Sequence, residues 1–409
     1  MKTMKTKTTK MEMKMKTMKW KMNFYGLAVM TALSLCTACS DDDDDDNDSN
    51  DDQNTEITTL KGSITSDVTL KAGQTYKLSG EYIVENGATL HIQEGVTIEA
   101  IYDNIVDYIL VKQGGKIEAI GTADQPIIMT SEKKEPGAWG GLHICGKAHT
   151  NAEGGKGNSE IGNALYGGNE ENDNSGTLKY IRLEYTGFTF DEEHEANGIS
   201  FYGVGNGTTV DHCQAYKGSD DGFEFFGGSV NVSNMVATSC SDDSFDWTEG
   251  WNGTASHLVA YQEAAATLGY DCDCLMECDN NGKNFSASPV AHPKLSDLIL
   301  VGNGGSKQGI RLRAGTQVEI DGAKVCGKAN PITVETKETA NALKEGVSKL
   351  KNMTVSAALQ NIDKDETIKQ IYTNNDFTAA GNTVDPNLSY ASFDAIKTAN
   401  SWMNGNWVK

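Results

Sequence analysis

From about residue 56 the chain alternates apolar and polar residues in short runs punctuated by Gly and Asn, with few prolines and almost no helical period. "GEYIVENGATLHIQEGVTIEA" (80–100) and "DYILVKQGGKIEAIGTADQPIIMTS" (107–131) both read as strand, turn, strand. A period of two bounded by turn residues predicts half-buried strands, and their density predicts an all-β chain.

The middle of the chain repeats itself. "GISFYGVGNGTTVDHCQAY" begins at 198, "GFEFFGGSVNVSNMVATSC" at 222, "SFDWTEGWNGTASHLVAYQ" at 244, and "GIRLRAGTQVEIDGAKVCG" returns at 309. Starts 24 and then 22 residues apart fit one coil of a parallel β-helix, a unit that cannot close its own core and stacks on the next. Propeller blades are roughly twice as long, and a sandwich does not rewrite one line of sequence coil after coil.

Alternation then assigns faces. Ile199, Phe201, Phe223, Phe225, Phe245, Trp247, Ile310 and Leu312 are predicted inside. Ser200, Tyr202, Glu224, Phe226, Asp246, Thr248, Arg311 and Arg313 are predicted outside, because the opposite parity buries acids and arginines in a narrow tube. In "YDCDCLMECDNNG" (270–282) the same rule sends Cys272, Cys274, Met276 and Cys278 inward as apolar filling or a disulfide, and Asp271, Asp273, Leu275 and Glu277 outward. Three thiols at Cys-x-Cys-x3-Cys also admit a soft-metal reading. "TKETANALKEGVSKLKN" (336–352) has helical spacing, and the tail to 409, with Trp402 and Trp407, is expected to cover the last coil.

The first 38 residues stand apart from this pattern. A lysine-rich start, the apolar "FYGLAVMTALSL" and the small residues before a cysteine make a secretory leader. It resembles a bacterial lipoprotein signal, which implies lipidation of Cys39; Cys36, preceded by bulky Leu35, fits less well. Residues 39–55, with nine aspartates and no apolar run, read as an acidic, extended tether. Residues 56–335 are assigned to the β-helix, and 336–409 to a helix and capping segment of the same domain.

Without the leader, 27 basic residues stand against 56 acidic ones, a formal charge of −29. Such a chain lacks the basic surface that neutralises phosphates, so nucleic acid is excluded as a partner. Cations and neutral glycans fit better. Seven cysteines follow Cys39, an odd number that leaves at least one unpaired within the chain.

The segments "GSDDGFEFFG" and "CSDDSFDWTEGW" carry the candidate chemistry. Equivalent residues on neighbouring coils lie about 4.8 Å apart, so Glu224 and Asp246 form a carboxylate ladder, with Glu277 or Leu275 above it and Arg311 and Arg313 further along. Like charges at that spacing require a cation, a shared proton or an arginine. Asp220, Asp221, Asp242 and Asp243 fall just before their strands, where they either hold calcium, the candidate cofactor, or satisfy turn amides.

These segments, with "ECDNNGKN" and "GIRLRAGT", resemble surface or secreted right-handed β-helix proteins, mostly from Bacteroidota, over residues 60–330. The resemblance implies the pectate-lyase-like fold and assigns no activity; the acidic stretch after Cys39 separately resembles the surface-export signal of Bacteroidota lipoproteins, which implies an outer-membrane, surface-exposed location, the alternative being a spacer in the periplasm. "SDDG" at 219–222 and "IRLR" at 310–313 also resemble lines of pectin-degrading hydrolases, whose intervening Gly-His-Gly line is absent here.

Three functions follow as expectations. One is a non-enzymatic surface module binding a glycan through Tyr202, Glu224, Phe226, Asp246, Arg311 and Arg313, unless the two rings pack under the 146–176 loop. Another is a carbohydrate-active lyase or hydrolase using Glu224 and Asp246 with Arg311. The third is a calcium-stabilised structural or adhesive protein.

Overall fold

The computed structural model describes residues 58–409 apart from 104 and 190–194. The leader, Cys39 and the tether lie outside the described residues. The rest is an all-β parallel β-helix with 24 strands joined in one sheet system and a few short helices. No helix among the described residues is long and apolar enough to cross a membrane.

Each coil contributes a short strand and a long one. The short strands Leu142–Cys145, Ile199–Tyr202, Phe223–Phe226, Phe245–Thr248, Met276–Cys278 and Gln308–Leu312 stack in parallel. The long strands run from Gly176–Glu184 through Thr209–Tyr216 and Asn231–Thr238 to Lys349–Val355. Each long strand bends at one left-handed residue, among them Tyr180, His212, Asn234, His257, Asp297 and Asn352. These positions drop out of the pairing and give the coil a corner.

Parity places the core. Ile199, Phe201, Phe223, Phe225, Phe245, Trp247, Ile310 and Leu312 are all buried in one continuous cluster. The rings stack along the axis, with centroids 5.0 Å apart for Phe201 and Phe225, 5.5 Å for Phe223 and Phe245, and 4.2 Å for Phe225 and Trp251. Burying one such ring contributes about 2–3 kcal/mol, which is why repetition of the aromatic positions sets the repetition of the coil.

The structure corrects four readings. Leu275 is buried in the core beside Met276, because the chain turns there and alternation begins only with the strand Met276–Cys278. Cys278 joins the core, whereas the Cys274 thiol donates to Asp273 Oδ1 and Gln308 Oε1, at 3.3 and 3.7 Å. All seven described cysteines are buried and unpaired. The predicted helix ends early: Lys337–Lys344 is helical and Lys349–Val355 is a strand that continues the long ladder.

The tail is the fourth. Tyr372 and Phe377 join the core at the end of the last coil, but the final residues turn back along the flank. Trp407 packs against Tyr180 and His212, Asn406 N donates to Ala123 O, and Lys409 N donates to Gln214 Oε1. The buried apolar flank of the long strands (Val236, Val259, Val301, Cys326) supplies the surface that holds Ile396, Met403 and Trp407.

Candidate functional site: an acidic cleft

Register turns the sequence repeat into three columns of acids. Glu224 pairs with Asp246, Asp246 with Glu277, and Glu277 with Arg311. Two residues before each strand stand Asp221 and Asp243, and three before it Asp220, Asp242 and Asp273. The coils approach closely beside these columns because of glycine. A Cβ at Gly198 would lie 2.3 Å from Gly222 O, and one at Gly222 would lie 2.6 Å from Ser244 O.

The middle column has a structural duty. Asp221 Oδ1 accepts the amide of Asp243 at 2.8 Å, and Asp243 Oδ1 accepts the amide of Cys274 at 2.6 Å. Each of these aspartates therefore uses one oxygen to satisfy the turn of the next coil. Both also line a cleft of about 340 Å³ shared by all three columns. The ladder acids and the corner acids, separate in the sequence reading, are one site. Glu160 from the 146–176 loop and Glu195 add two further carboxylates to the lining.

Ten carboxylates line the cleft, and Arg311 is the one cationic side chain among the lining residues. Asp221, Glu224 and Asp246 offer oxygens within 4.8 Å of one another; so do Asp243, Asp246 and Glu277, and likewise Glu195, Asp220 and Asp242. Two unit charges at that distance repel by about 3.5 kcal/mol at an effective dielectric near 20.

The acidities record this crowding. Burial first, and then the carboxylates of Glu195 and Asp242, push Asp220 up to about 8. Burial followed by neighbouring acids holds Asp221, Glu224, Asp243 and Asp246 well above the ordinary carboxylate range. Asp242 and Glu277 are raised for the same leading reason, with Arg313 opposing the rise at Glu277. Asn197 Nδ2 donates to Glu224 Oε2 at 2.5 Å. Asp246 Oδ1, by contrast, is buried without a hydrogen-bond partner, an unusual state for a buried polar atom.

The donor set fits a hard cation. Calcium takes six to eight oxygens at roughly 2.3–2.6 Å, so oxygens sharing an ion lie within about 5 Å of each other, the spacing of the carboxylate triads. Asp221, Glu224 and Asp246, or Asp243, Asp246 and Glu277, would hold such an ion, and Glu195, Asp220 and Asp242 would hold another.

The other predicted ligand residues are placed differently. Tyr202 and Phe226 point away from the core as expected but are buried, 1% and 8% exposed. They stack on each other at 4.4 Å under Ile161, Ala164 and Tyr166 of the 146–176 loop, so neither ring offers a face to a sugar. Arg311 is held by Glu335 and Glu277, at 2.8 Å each, and Arg313 by Asp279 at 2.7 Å and Glu277 at 2.5 Å. Burial opposes the charge on Arg311, yet the two glutamates outweigh it and its pKa ends above the usual value.

Sequence reasoning missed Glu160, Glu195, Asp273 and Asn197 as members of the site. Asp273 had a signal, since it stands three residues before Met276 as Asp242 stands before Phe245. Glu160 had none, because a loop rather than a repeat delivers it.

A parallel β-helix carrying a carboxylate-lined cleft on its outer face is thus the class that fold and site define. A model of the pectate-lyase-like β-helix domain matches residues 62–408, and the chain belongs to this family. No curated protein and no solved structure matches it.

Proposed function

We propose that the protein is a cell-surface β-helix whose acidic cleft holds calcium and, over that ion, binds an extracellular glycan without transforming it. The observation behind this reading is the convergence of three register-locked acid columns on a cleft in which Asp246 Oδ1 has no partner. Crowded buried carboxylates bind either protons or a cation, and calcium, which takes six to eight oxygens in flexible geometry, suits so many carboxylates better than magnesium does. The cleft volume lies within the roughly 300–1,000 Å³ of small-molecule sites, and hydroxyl or carboxylate oxygens of a glycan can complete the ion's shell at the open mouth. Lipidation of Cys39 and the acidic tether 39–55 would hold the domain at the outer-membrane surface.

The enzymatic alternative places Glu224 and Asp246 as acid and base or nucleophile. That chemistry needs one ionised carboxylate beside one protonated carboxylate, and a lyase variant needs in addition a free arginine beside the substrate's carboxylate. Arg311, paired on both sides, has no free role as a base. Binding is therefore favoured over turnover.

A glycan array with and without calcium, read beside digestion assays on the same polysaccharides, tests this. Calcium-dependent binding without products supports the module. Products that vanish in Glu224→Gln and Asp246→Asn would replace it with an enzyme. Anchoring is tested separately by labelled palmitate, whose incorporation should disappear in Cys39→Ser.

A further inference from the structure

Beside the acidic cleft, on the same outer face, is a second concavity of quite different chemistry. Its volume is about 510 Å³, and its walls come from three segments distant in sequence: Asn151 from the long loop, Thr248 and Glu249 at the end of the strand Phe245–Thr248, and Asn281, Lys283 and Asn284 from the following loop. We propose that this pocket is a binding site for an uncharged sugar unit, and that it works independently of the cation cleft.

The pocket is built rather than incidental. Asn151, 8% exposed, donates through Nδ2 to Asn280 Oδ1 at 2.8 Å and to Pro289 O at 3.0 Å, while its Oδ1 accepts from Asn281 Nδ2 at 3.0 Å. Asn280, fully buried, donates to Phe285 O at 3.2 Å and Ala287 O at 3.0 Å and accepts the Ala291 amide at 2.8 Å. Asn151 N donates to Glu249 O at 2.9 Å. This buried amide bridge ties the three walls together before any ligand arrives, which lowers the ordering cost of binding.

The exposed groups match a polyhydroxylated ring. Asn and Thr side chains both donate and accept, as sugar hydroxyls do. Glu249 is oriented by Tyr166 Oη and Thr150 Oγ1, each donating to Oε2 at 2.7 Å, so those bonds leave its Oε1 to accept a hydroxyl. Lys283 stands against Glu249 and Glu153 on the lining, so the pocket lacks the massed negative charge of the cleft. Phe285, 39% exposed, lies on the same loop between lining residues Asn284 and Ala287. Its backbone is pinned by the bond from Asn280 and by close packing on Gly315, where a Cβ would lie 1.9 Å from Phe285 O. Phe285 is not itself on the lining, but from that fixed backbone between two lining residues its exposed ring would offer an apolar face to a pyranose whose hydroxyls meet the amide and carboxylate groups of the pocket.

The two sites lie in line. Thr248 of the pocket and Asp246 of the cleft are two residues apart on one side of one strand, a separation of about 7 Å. An oligosaccharide seated in the pocket can extend toward the cleft, and the pocket needs no cation to hold its own unit.

The test is calorimetry on the full mature chain in excess chelator, with neutral tetra- to hexasaccharides of gluco, manno, galacto and xylo configuration as probes. At least one series should bind, and Glu249→Gln, Asn284→Ala and Phe285→Ala should each weaken it about tenfold or more. Asn284 and Phe285 are exposed, so an unchanged melting temperature in those two variants separates lost contact from lost folding. No binding by any series overturns the inference, as does binding indifferent to all three substitutions. Binding that requires calcium and disappears in Asp246→Asn moves the sugar into the cleft, which overturns the pocket and leaves the cation reading standing. Binding retained in chelator by a protein that takes up no calcium does the reverse.

Discussion

Two columns of charge run along the outside of this helix, and they are solved in opposite ways. Near the amino-terminal end, Lys77 lies on the rung beside Glu99 and pairs with it at 2.6 Å; Lys77 also reaches Glu132 at 2.6 Å, and Lys134 reaches Glu99 at 3.2 Å. Signs alternate there, and the bond from Lys77 lowers the Glu99 pKa. In the middle coils Glu224, Asp246 and Glu277 repeat one sign on successive rungs, and burial with mutual repulsion raises every one of them. The same rung spacing thus yields a self-neutralised ladder in one place and, in the other, a column paired with arginine only at its Glu277 end. Alternation resumes at one end of the cleft, where Arg311 and Arg313 close the acid column against Glu277, Asp279 and Glu335. Asp107, elsewhere in the fold, is a single acid raised by burial; the cleft differs in gathering a whole group of raised carboxylates on successive rungs.

Neither column should be what holds the coil together. Phe245→Ala, which removes one ring from the internal stack, should cost about 3–5 kcal/mol, more than any single charge substitution in either column. Denaturant unfolding measures this, and a charge substitution costing as much would break the comparison.

Next in size is the effect on the cation. Asp246→Asn removes the carboxylate common to two of the ligand triads and should weaken calcium binding at least about tenfold, or about 1.4 kcal/mol, by titration calorimetry. The same substitution should leave the chelated protein as stable as before or more so, since it relieves repulsion.

The pH dependence sharpens the contrast because the cleft and the paired ladder carry opposite signs. Asp220 titrates at about 8 in the fold against an ordinary value of 3.8, so across that window the native state keeps a proton that the unfolded chain has released. Stability of the chelated protein should therefore fall as pH rises from about 4 to about 8. Saturating calcium, which displaces those protons, should flatten the fall. Glu99, with its pKa lowered from 4.5, contributes stability above that value and loses it as pH drops through its folded pKa. Melting curves at several pH values, with and without calcium, read both trends.

The smallest effect belongs to the paired ladder. Lys77→Met leaves Glu99 and Glu132 without their shared partner and should cost about 1 kcal/mol or less, as partly exposed pairs do. It should not alter calcium affinity.

Much of this was legible in the sequence. Aromatic repetition and a period near 22 residues identified the coil, and parity put Phe223, Phe225, Phe245 and Trp247 inside and Glu224 and Asp246 outside. Reading failed where the repeat is interrupted. Leu275 and Cys274 precede a short strand whose start the alternation does not mark, so their directions were inverted. Tyr202 and Phe226 point outward as parity requires, and of the two readings open for them the structure shows packing under the 146–176 loop rather than an open sugar face. The tail's path back to Ala123 and Gln214 depends on which apolar flank was left uncovered, a tertiary fact with no local signature. The cleft was visible as two separate sets of acids; only the stacking of turns on strands joined them, and Glu160 came from a loop outside the repeat.

In the proposed function, protons and a hard cation compete for one cleft. Calcium titration of chelated protein near pH 7, in two buffers of different ionisation heat, addresses it directly. Saturable binding is expected, with an apparent heat that differs between the buffers because calcium releases protons as it enters. A titration without saturable heat, with the melting temperature unmoved by calcium, would contradict it.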